Sequence, residues 1–212
     1  EVITWVVQRL QEPLPGEVAR EKMMAKPLNG QKFKLNHEQP PRPGGVMLLL
    51  YPHEDKIYLP LTRRPDYNGV HSGQVSFPGG KAEREDHSLI ETALRETEEE
   101  IGVQRSDIKI IGQLSEFFVA ASNFNVLPVV GYLEQKPRFE PDATEVAAVL
   151  EARIDQLLDP AYQKVRDMDV RGYQLRTPYF DVQGNIVWGA TAMMLSEFVS
   201  VLHDIPTIGL KA

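Results

Sequence analysis

Ser88-Leu89-Ile90-Glu91-Thr92-Ala93-Leu94-Arg95-Glu96-Thr97-Glu98-Glu99-Glu100-Ile101-Gly102-Val103 is the stretch whose reading decides the fold. Ser88 followed by Glu91 has the form of a capping box, and Gly102 is a natural stop, so the spacing predicts one helix between them. With about 100° per residue and Glu96 at zero, Ile90, Leu94, Thr97 and Ile101 fall between about 100° and 160°, which predicts a buried stripe. Glu99, Glu96 and Glu100 fall at about −60°, 0° and +40° and share one side, with Arg95 just beyond Glu99. Local rules disfavour this pattern. Glu96 and Glu100 are like charges at i,i+4, a penalty of roughly 0.2–0.5 kcal/mol. Glu98, Glu99 and Glu100 crowd the C-terminal turn, where the helix dipole opposes anions.

A solvated acidic face is the ordinary explanation of such a run. Converging carboxylates are also what a hard divalent cation requires, since Mg²⁺ takes oxygen ligands and keeps waters and phosphates in its shell. The approach to the helix favours the second reading. Phe77-Pro78-Gly79-Gly80 is a bend with two successive residues lacking side chains, so main-chain atoms can come close to an ion. Two unusual features that agree weigh more than either alone.

The rest of the chain sets the frame. It has 212 residues, 42% hydrophobic and 25% charged, consistent with one globular domain plus an extension and inconsistent with a mostly disordered chain. Acidic residues outnumber basic ones, 30 to 23, for a net charge of −7, which argues against a nucleic-acid-coating protein. Small anionic ligands stay open, because a metal or a few arginines can reverse the sign of one cleft. Without cysteine there is no disulfide, thiolate nucleophile or sulfur-ligated zinc. The apolar run around Val46 to Leu50 is far too short to span a bilayer, no secretory signal is legible, and the expectation is a cytoplasmic protein without a membrane partner.

Residues 1–44 read as a helical extension and loop: apolar spacing from Val2 to Leu10, a break at Pro13 to Gly16, a short helix from Glu17 to Met24, and a polar loop from Pro27 to Gly45. This extension is a candidate dimer interface. Residues 45–212 form the main domain. Strands are predicted at Val46–Tyr51 and Ile57–Leu61 around a Pro52–Asp55 turn, at Gln74–Phe77, Ile108–Phe118, Val126–Leu133 and Val146–Leu150, and in a Tyr173–Trp188 hairpin turning at Gln183-Gly184. Helices are predicted at Ile154–Leu158 and Thr191–Leu202. Strands among a few helices, without a regular βαβ rhythm, indicate an α+β, mixed α/β layered fold.

The motif around Arg95 resembles the signature of the Nudix hydrolases: Gly, five residues, Glu, seven residues, then Arg-Glu-aliphatic-any-Glu-Glu-any-Gly-aliphatic. Arg95-Glu96-Thr97-Glu98-Glu99-Glu100-Ile101-Gly102-Val103 matches its second half, with Thr97 at the aliphatic position. Gly80 begins the first half, with Asp86 in place of Glu and Arg95 one residue late. That longer loop is similar to the coenzyme A pyrophosphatase-like subgroup. So are Leu61-Thr62-Arg63-Arg64 with Gly73 and Phe77-Pro78-Gly79-Gly80, where Pro65 and Gly69 replace a small residue and an arginine. Leu14-Pro15-Gly16, Pro128-Val129-Val130-Gly131, Glu145-Val146 and Trp188-Gly189-Ala190-Thr191-Ala192 extend the likeness over about residues 14 to 202.

The resemblance implies a mixed β-sheet between helices and metal-dependent cleavage of a nucleoside diphosphate derivative. For this subgroup that means coenzyme A, cut to 3′,5′-ADP and 4′-phosphopantetheine. It implies Mg²⁺ or Mn²⁺ held by Glu96, Glu99 and Glu100 with a main-chain carbonyl at Gly79 or Gly80, and Arg95 holding the carboxylates. Arg63 and Arg64 are candidates for substrate phosphate, since guanidinium groups bind phosphate bidentately. Glu145 is a candidate additional acid. The same chemistry on another dinucleotide or nucleotide sugar, and a catalytically silent binding module, are the alternatives. His71, Trp188 and Met193-Met194 read as structural.

Overall fold

The computed structural model describes residues 2–66 and 73–203; Gly69 and His71 lie outside them. Its centre is β2, Arg42–His53, in which Met47, Leu48, Leu49, Leu50 and Tyr51 are all 0% exposed. A strand buried on both faces reads as a continuous apolar run, as this one does. Met47, Leu49 and Tyr51 point to one core with Ala93 and Ile101, and Leu48 and Leu50 to another with Leu195, Phe198 and Leu202. The alternation of side chains along a strand thus sorts one run of five residues into two cores.

Chain order begins with α1, Val2–Arg9, α2, Gly16–Arg20, and β1, Lys26–Pro27, followed by β2 and by β3, Lys56–Arg63. Next come β4, Val75–Ser76, β5, Gly79–Lys81, and α3, Leu89–Ile101. Then follow β6, Lys109–Gln113, β7, Phe117–Val119, β8, Phe124–Tyr132, β9, Ala148–Arg153, and α4, Ile154–Leu158. The chain closes with β10, Gln163–Val170, β11, Tyr173–Val182, β12, Asn185–Val187, and α5, Gly189–His203. The larger sheet runs β4-β3-β2-β8-β6, with β5 also paired to β2, β7 to β8 and β9 to β3. It is mixed: β2 is parallel to β8 and antiparallel to β3 and β5. A smaller sheet, β1-β11-β10, takes β12 beside β11. The fold is α+β, with the mixed sheet between α3 on one face and α5 on the other.

Several boundaries differ from the sequence reading. The Pro27–Gly45 loop yields its ends to β1 and β2, because Gly44 and Gly45 pair on both sides, with Lys81 and Gly80 of β5 and with Val126 and Leu127 of β8. Phe77-Pro78-Gly79-Gly80 therefore leads into a strand. The single strand expected over Ile108–Phe118 is split into β6 and β7. Between them the Ser115 N–H turns away to donate to Glu197 at 3.2 Å. The strand expected at Val146 starts at Ala148, since the Val146 N–H donates to the Asp142 carbonyl at 2.8 Å. Strand β10 was not expected from the sequence: residues 164–167 are all exposed, and alternation is confined to its last four residues, Asp167-Met168-Asp169-Val170. Two-residue turns at Glu54-Asp55 and Gln183-Gly184 do close the expected hairpins, all four residues at positive φ as a type I′ turn requires.

Glu197 on α5 is fully buried and ties residues 16–20 to α5 and to the turn between β6 and β7. It accepts from Arg20 Nη1 at 2.9 Å, from the Ser115 hydroxyl at 2.7 Å and from the Gly16 N–H at 3.1 Å. Val2, Val6, Leu10 and Met23 enter the same core as Phe198. Removing one partner of a buried pair leaves the other charge stranded, so Arg20→Ala should lower unfolding free energy by about 3–5 kcal/mol. Arg20→Met combined with Glu197→Leu should recover most of it. Urea denaturation measures both, and an Arg20→Ala chain as stable as the parent would show that the pair holds nothing.

Candidate active site

Helix α3 starts as its sequence dictates. Ser88 Oγ accepts the Glu91 N–H at 3.2 Å, the Glu91 carboxylate accepts the His87 N–H at 2.9 Å, and Gly102 ends the helix at φ 71°. The buried face differs from the expected stripe. Ala93, Thr97, Glu100 and Ile101 are buried, whereas Ile90 and Leu94 are half-buried. Gly45 explains the rotation: a Cβ there would collide with the Leu89 carbonyl and come within 3.1 Å of the Ala93 N, so the helix sits directly on β2 at this point. The Glu96 and Glu100 carboxylates consequently face the β2–β5 edge and not open solvent. Glu100 is only 7% exposed.

Gly80 has a matching role. The Glu96 carboxylate occupies the space that a Cβ on Gly80 would fill. The Glu100 carboxylate accepts the N–H of neighbouring Gly79. Burial, then the charges of Glu96 and Glu145, push the Glu100 carboxyl up to about 8, against the opposing effects of the Gly79 N–H and Arg64. Burial also raises Glu96, opposed by Arg95. Glu98 takes no part, because Arg105 engages it at 2.6 Å on the outer side.

Arg95 organises the loop before the helix. Its Nε and Nη2 donate to the two oxygens of Asp86, both at 3.0 Å, and Nη2 also to the Lys81 carbonyl at 3.1 Å. Nη1 donates to Glu96 and to Glu99, each at 3.1 Å. Asp86 further accepts from the Thr92 hydroxyl and the Glu83 N–H, both at 2.9 Å. The Arg95 hydrogen bonds hold its carboxyl well below the usual carboxylate range. Sequence reading gave Asp86 no such part; its place after the five residues that follow Gly80 was the available signal.

Loop 140–146 closes the other end of α3. The Glu140 N–H donates to the Ile101 carbonyl at 2.9 Å and the Asp142 N–H to the Glu100 carbonyl at 3.0 Å, satisfying two helix-end acceptors. Asp142 in turn accepts the Thr144 N–H and hydroxyl at 2.9 and 2.8 Å. This turn brings exposed Glu145 within electrostatic reach of Glu96 and Glu100. Nothing in the residue pattern indicated Glu140 or Asp142. The neighbouring arginines separate: Arg64 acts on Glu100, whereas Arg63 faces Asp66 at 3.9 Å.

Comparison with known proteins agrees with this geometry. The NUDIX domain family model matches residues 41–168. This chain is a Nudix family member. It is 34% identical over 170 residues to a Pectobacterium atrosepticum protein named "Uncharacterized Nudix hydrolase NudL", covering 80% of this chain and 86% of that one. It is 34% identical over 173 residues to Arabidopsis thaliana "Nudix hydrolase 15, mitochondrial", covering 78% of this chain and 60% of the plant protein. The crystal structure of a Nudix hydrolase from M. smegmatis, RenU, shares the fold at a TM-score of 0.51 and 14% identity, over 86% of this chain and 95% of that one. The chain is accordingly a Nudix hydrolase, acting on phosphoric anhydride bonds.

Among the described residues no group of three His, Asp or Glu side chains is already gathered to hold a metal ion. Glu99 is drawn to Arg95 and 57% exposed at its side chain. The donor chemistry nevertheless fits a hard divalent cation of the kind Nudix hydrolases use. Glu96 and Glu100 are all-oxygen donors pressed together with too little positive charge to balance them. The metal-free state has a measurable signature. Folded Glu100 holds a proton up to about pH 8, which the unfolded chain releases near the ordinary glutamate value of 4.5. Between these values the folded state binds more protons, so stability should fall as pH rises, by on the order of a few kcal/mol. Urea midpoints with a chelator present should decline across that window, and Glu100→Gln should flatten the decline. An equal slope in the variant would place the titration elsewhere.

Proposed function

We propose that the chain hydrolyses the diphosphate bond of coenzyme A or its derivatives, giving 3′,5′-ADP and 4′-phosphopantetheine. The observation that supports the site is the desolvated Glu96–Glu100 pair against the Gly79-Gly80 backbone. Together with Glu99 and a main-chain carbonyl of that turn, these residues would hold Mg²⁺ or Mn²⁺. When bound, the cation supplies positive charge to the phosphoryl oxygens and acidity to a water. The residues of the chain do the rest. Glu145, exposed and outside the Arg95 network, takes the proton of the attacking water as it adds to one phosphorus and the other phosphate departs. Arg95 fixes Glu96 and Glu99 by charge-assisted hydrogen bonds and has no part in touching substrate.

Arg64 supports the substrate reading. It occupies the arginine position of the upstream subgroup motif, and its charge acts on Glu100. One bond ties two of the other motif stretches together: the Thr191 hydroxyl donates to the carbonyl of Val75, between Gly73 and Phe77, at 3.1 Å.

Purified chain with coenzyme A and Mg²⁺ or Mn²⁺ should release 3′,5′-ADP, and Glu100→Gln should abolish the release. Arg64→Ala should raise KM by about tenfold, the loss of one charge-assisted contact, with Arg63→Ala close to the parent. Cleavage of ADP-ribose, NADH or a diadenosine polyphosphate with coenzyme A left intact would overturn the substrate while leaving the hydrolase.

A further inference from the structure

On the smaller sheet, away from α3, residues 22–34 run beside β11. Lys26 pairs with Arg176 and Pro27 with Leu175, the Leu28 N–H donates to the Gln174 carbonyl at 2.9 Å, and the Lys34 N–H to the Tyr173 hydroxyl at 3.3 Å. Two clefts of about 370 and 410 Å³ open along this seam. Lys22, Lys26 and Arg176 line the first, and Lys32, Lys34 and Arg171 the second. The acids close by are Glu21, Asp167, which engages Arg176 at 3.0 Å, and Asp169, which accepts from the Gly172 N–H and the Gln174 amide. Among the described residues, Lys22, Lys26, Lys32, Lys34 and Arg171 have no ion-pair partner. A chain of net charge −7 thus presents an excess of cations on one face. Apolar side chains are interleaved with them: Met24, Leu28, Phe33 and Val165 are 37%, 44%, 42% and 60% exposed.

We infer that this seam is a docking surface for the headgroup layer of an anionic lipid bilayer. Exposed cations gain from an anionic partner, and exposed aliphatic groups gain from an apolar one. A membrane interface offers both within a few ångströms of depth. A nucleic acid would meet the charge but has no use for Met24, Leu28 and Val165. Phe33 and Tyr173 are spent partly on each other, tilted at 55° with ring centroids 5.1 Å apart, so they do not present the row of parallel faces that successive bases stack on. A second copy of the chain, brought face to face across a two-fold axis, would set unpaired lysines against lysines. The sequence expectation of no membrane partner rested on the absence of a spanning segment. Among the described residues no helix is long and apolar enough to cross a membrane, and docking to a surface needs none.

Co-sedimentation of the intact chain with vesicles tests the inference. Phosphatidylcholine vesicles containing phosphatidylserine should bind it at least tenfold better than pure phosphatidylcholine, and high salt should release it. Lys26→Gln and Lys32→Gln should each weaken binding by about fivefold, and Val165→Glu should weaken it too, with thermal melts unchanged. Equal partition into both vesicle types, or charge variants that bind like the parent, would overturn the assignment. Retention on a DNA oligonucleotide with vesicles left unbound would overturn it in favour of nucleic acid. A dimer in light scattering that Val165→Glu dissolves, again with vesicles unbound, would overturn it in favour of a second copy.

Discussion

The guanidinium of Arg95 has five N–H donors, and all five are used: two on Asp86, one on the Lys81 carbonyl, one on Glu96 and one on Glu99. The rest of the site depends on this saturation. It fastens the loop before α3 to the helix itself, so the Gly79-Gly80 turn and the carboxylates are held in one rigid frame. It also reconciles the helix with its own sequence. Part of the repulsion among Glu96, Glu99 and Glu100 is offset by a charge on the preceding turn, paired i,i+4 with Glu99 in the base-first order that isolated helices favour less. A fully engaged guanidinium has no donor left for a phosphate, so anion recognition must come from elsewhere.

Two glycines set how close the helix may come. Gly45 lets α3 rest on β2, and Gly80 lets the Glu96 carboxylate lie over β5. Side chains at these positions would lift the helix off the sheet, and Glu100 would regain solvent. Close packing here and desolvation of the carboxylates are therefore one constraint. The loop from Glu140 to Val146 belongs to the same construction. By donating to the last carbonyls of α3 it replaces the positive side chains that usually offset a helix C-terminus, and α3 has no basic residue in its last turn. Glu145 arrives beside Glu96 and Glu100 as a consequence of that capping.

What was legible in the sequence was local. Ser88 and Gly102 delimit α3 because capping is decided within four residues, and the like charges at 96 and 100 stood out because they break a local rule. The two cores fed by Met47–Tyr51 follow from strand alternation once a strand is assumed. The remainder needed tertiary contacts. Asp86 matters only when its loop folds back on Arg95, and the face of α3 that is buried is set by Gly45, some fifty residues away. β10 was missed because its first half sets Val165 among exposed Lys164, Arg166 and Asp167, and the alternation of its last four residues is too short to read as a strand by itself. Arg63 and Arg64 looked equivalent as neighbours. An extended backbone sends consecutive side chains to opposite sides, and only Arg64 comes to act on Glu100.

Electrostatics then restrict how the site can work. Glu96, Glu100 and Glu145 act on one another, and Arg64 is the guanidinium left to oppose them at Glu100. A diphosphate brings further negative charge to the same place. Protonation of Glu100 could relieve the crowding below about pH 8, but a protonated carboxyl is a poorer ligand and base. A divalent cation relieves it without that loss, since the desolvation that raises the carboxyl pKa also strengthens attraction to a bound positive ion. Burial of Glu100 therefore destabilises the empty site while favouring the occupied one. The Arg95–Asp86 clamp keeps the helix intact in the interval between them.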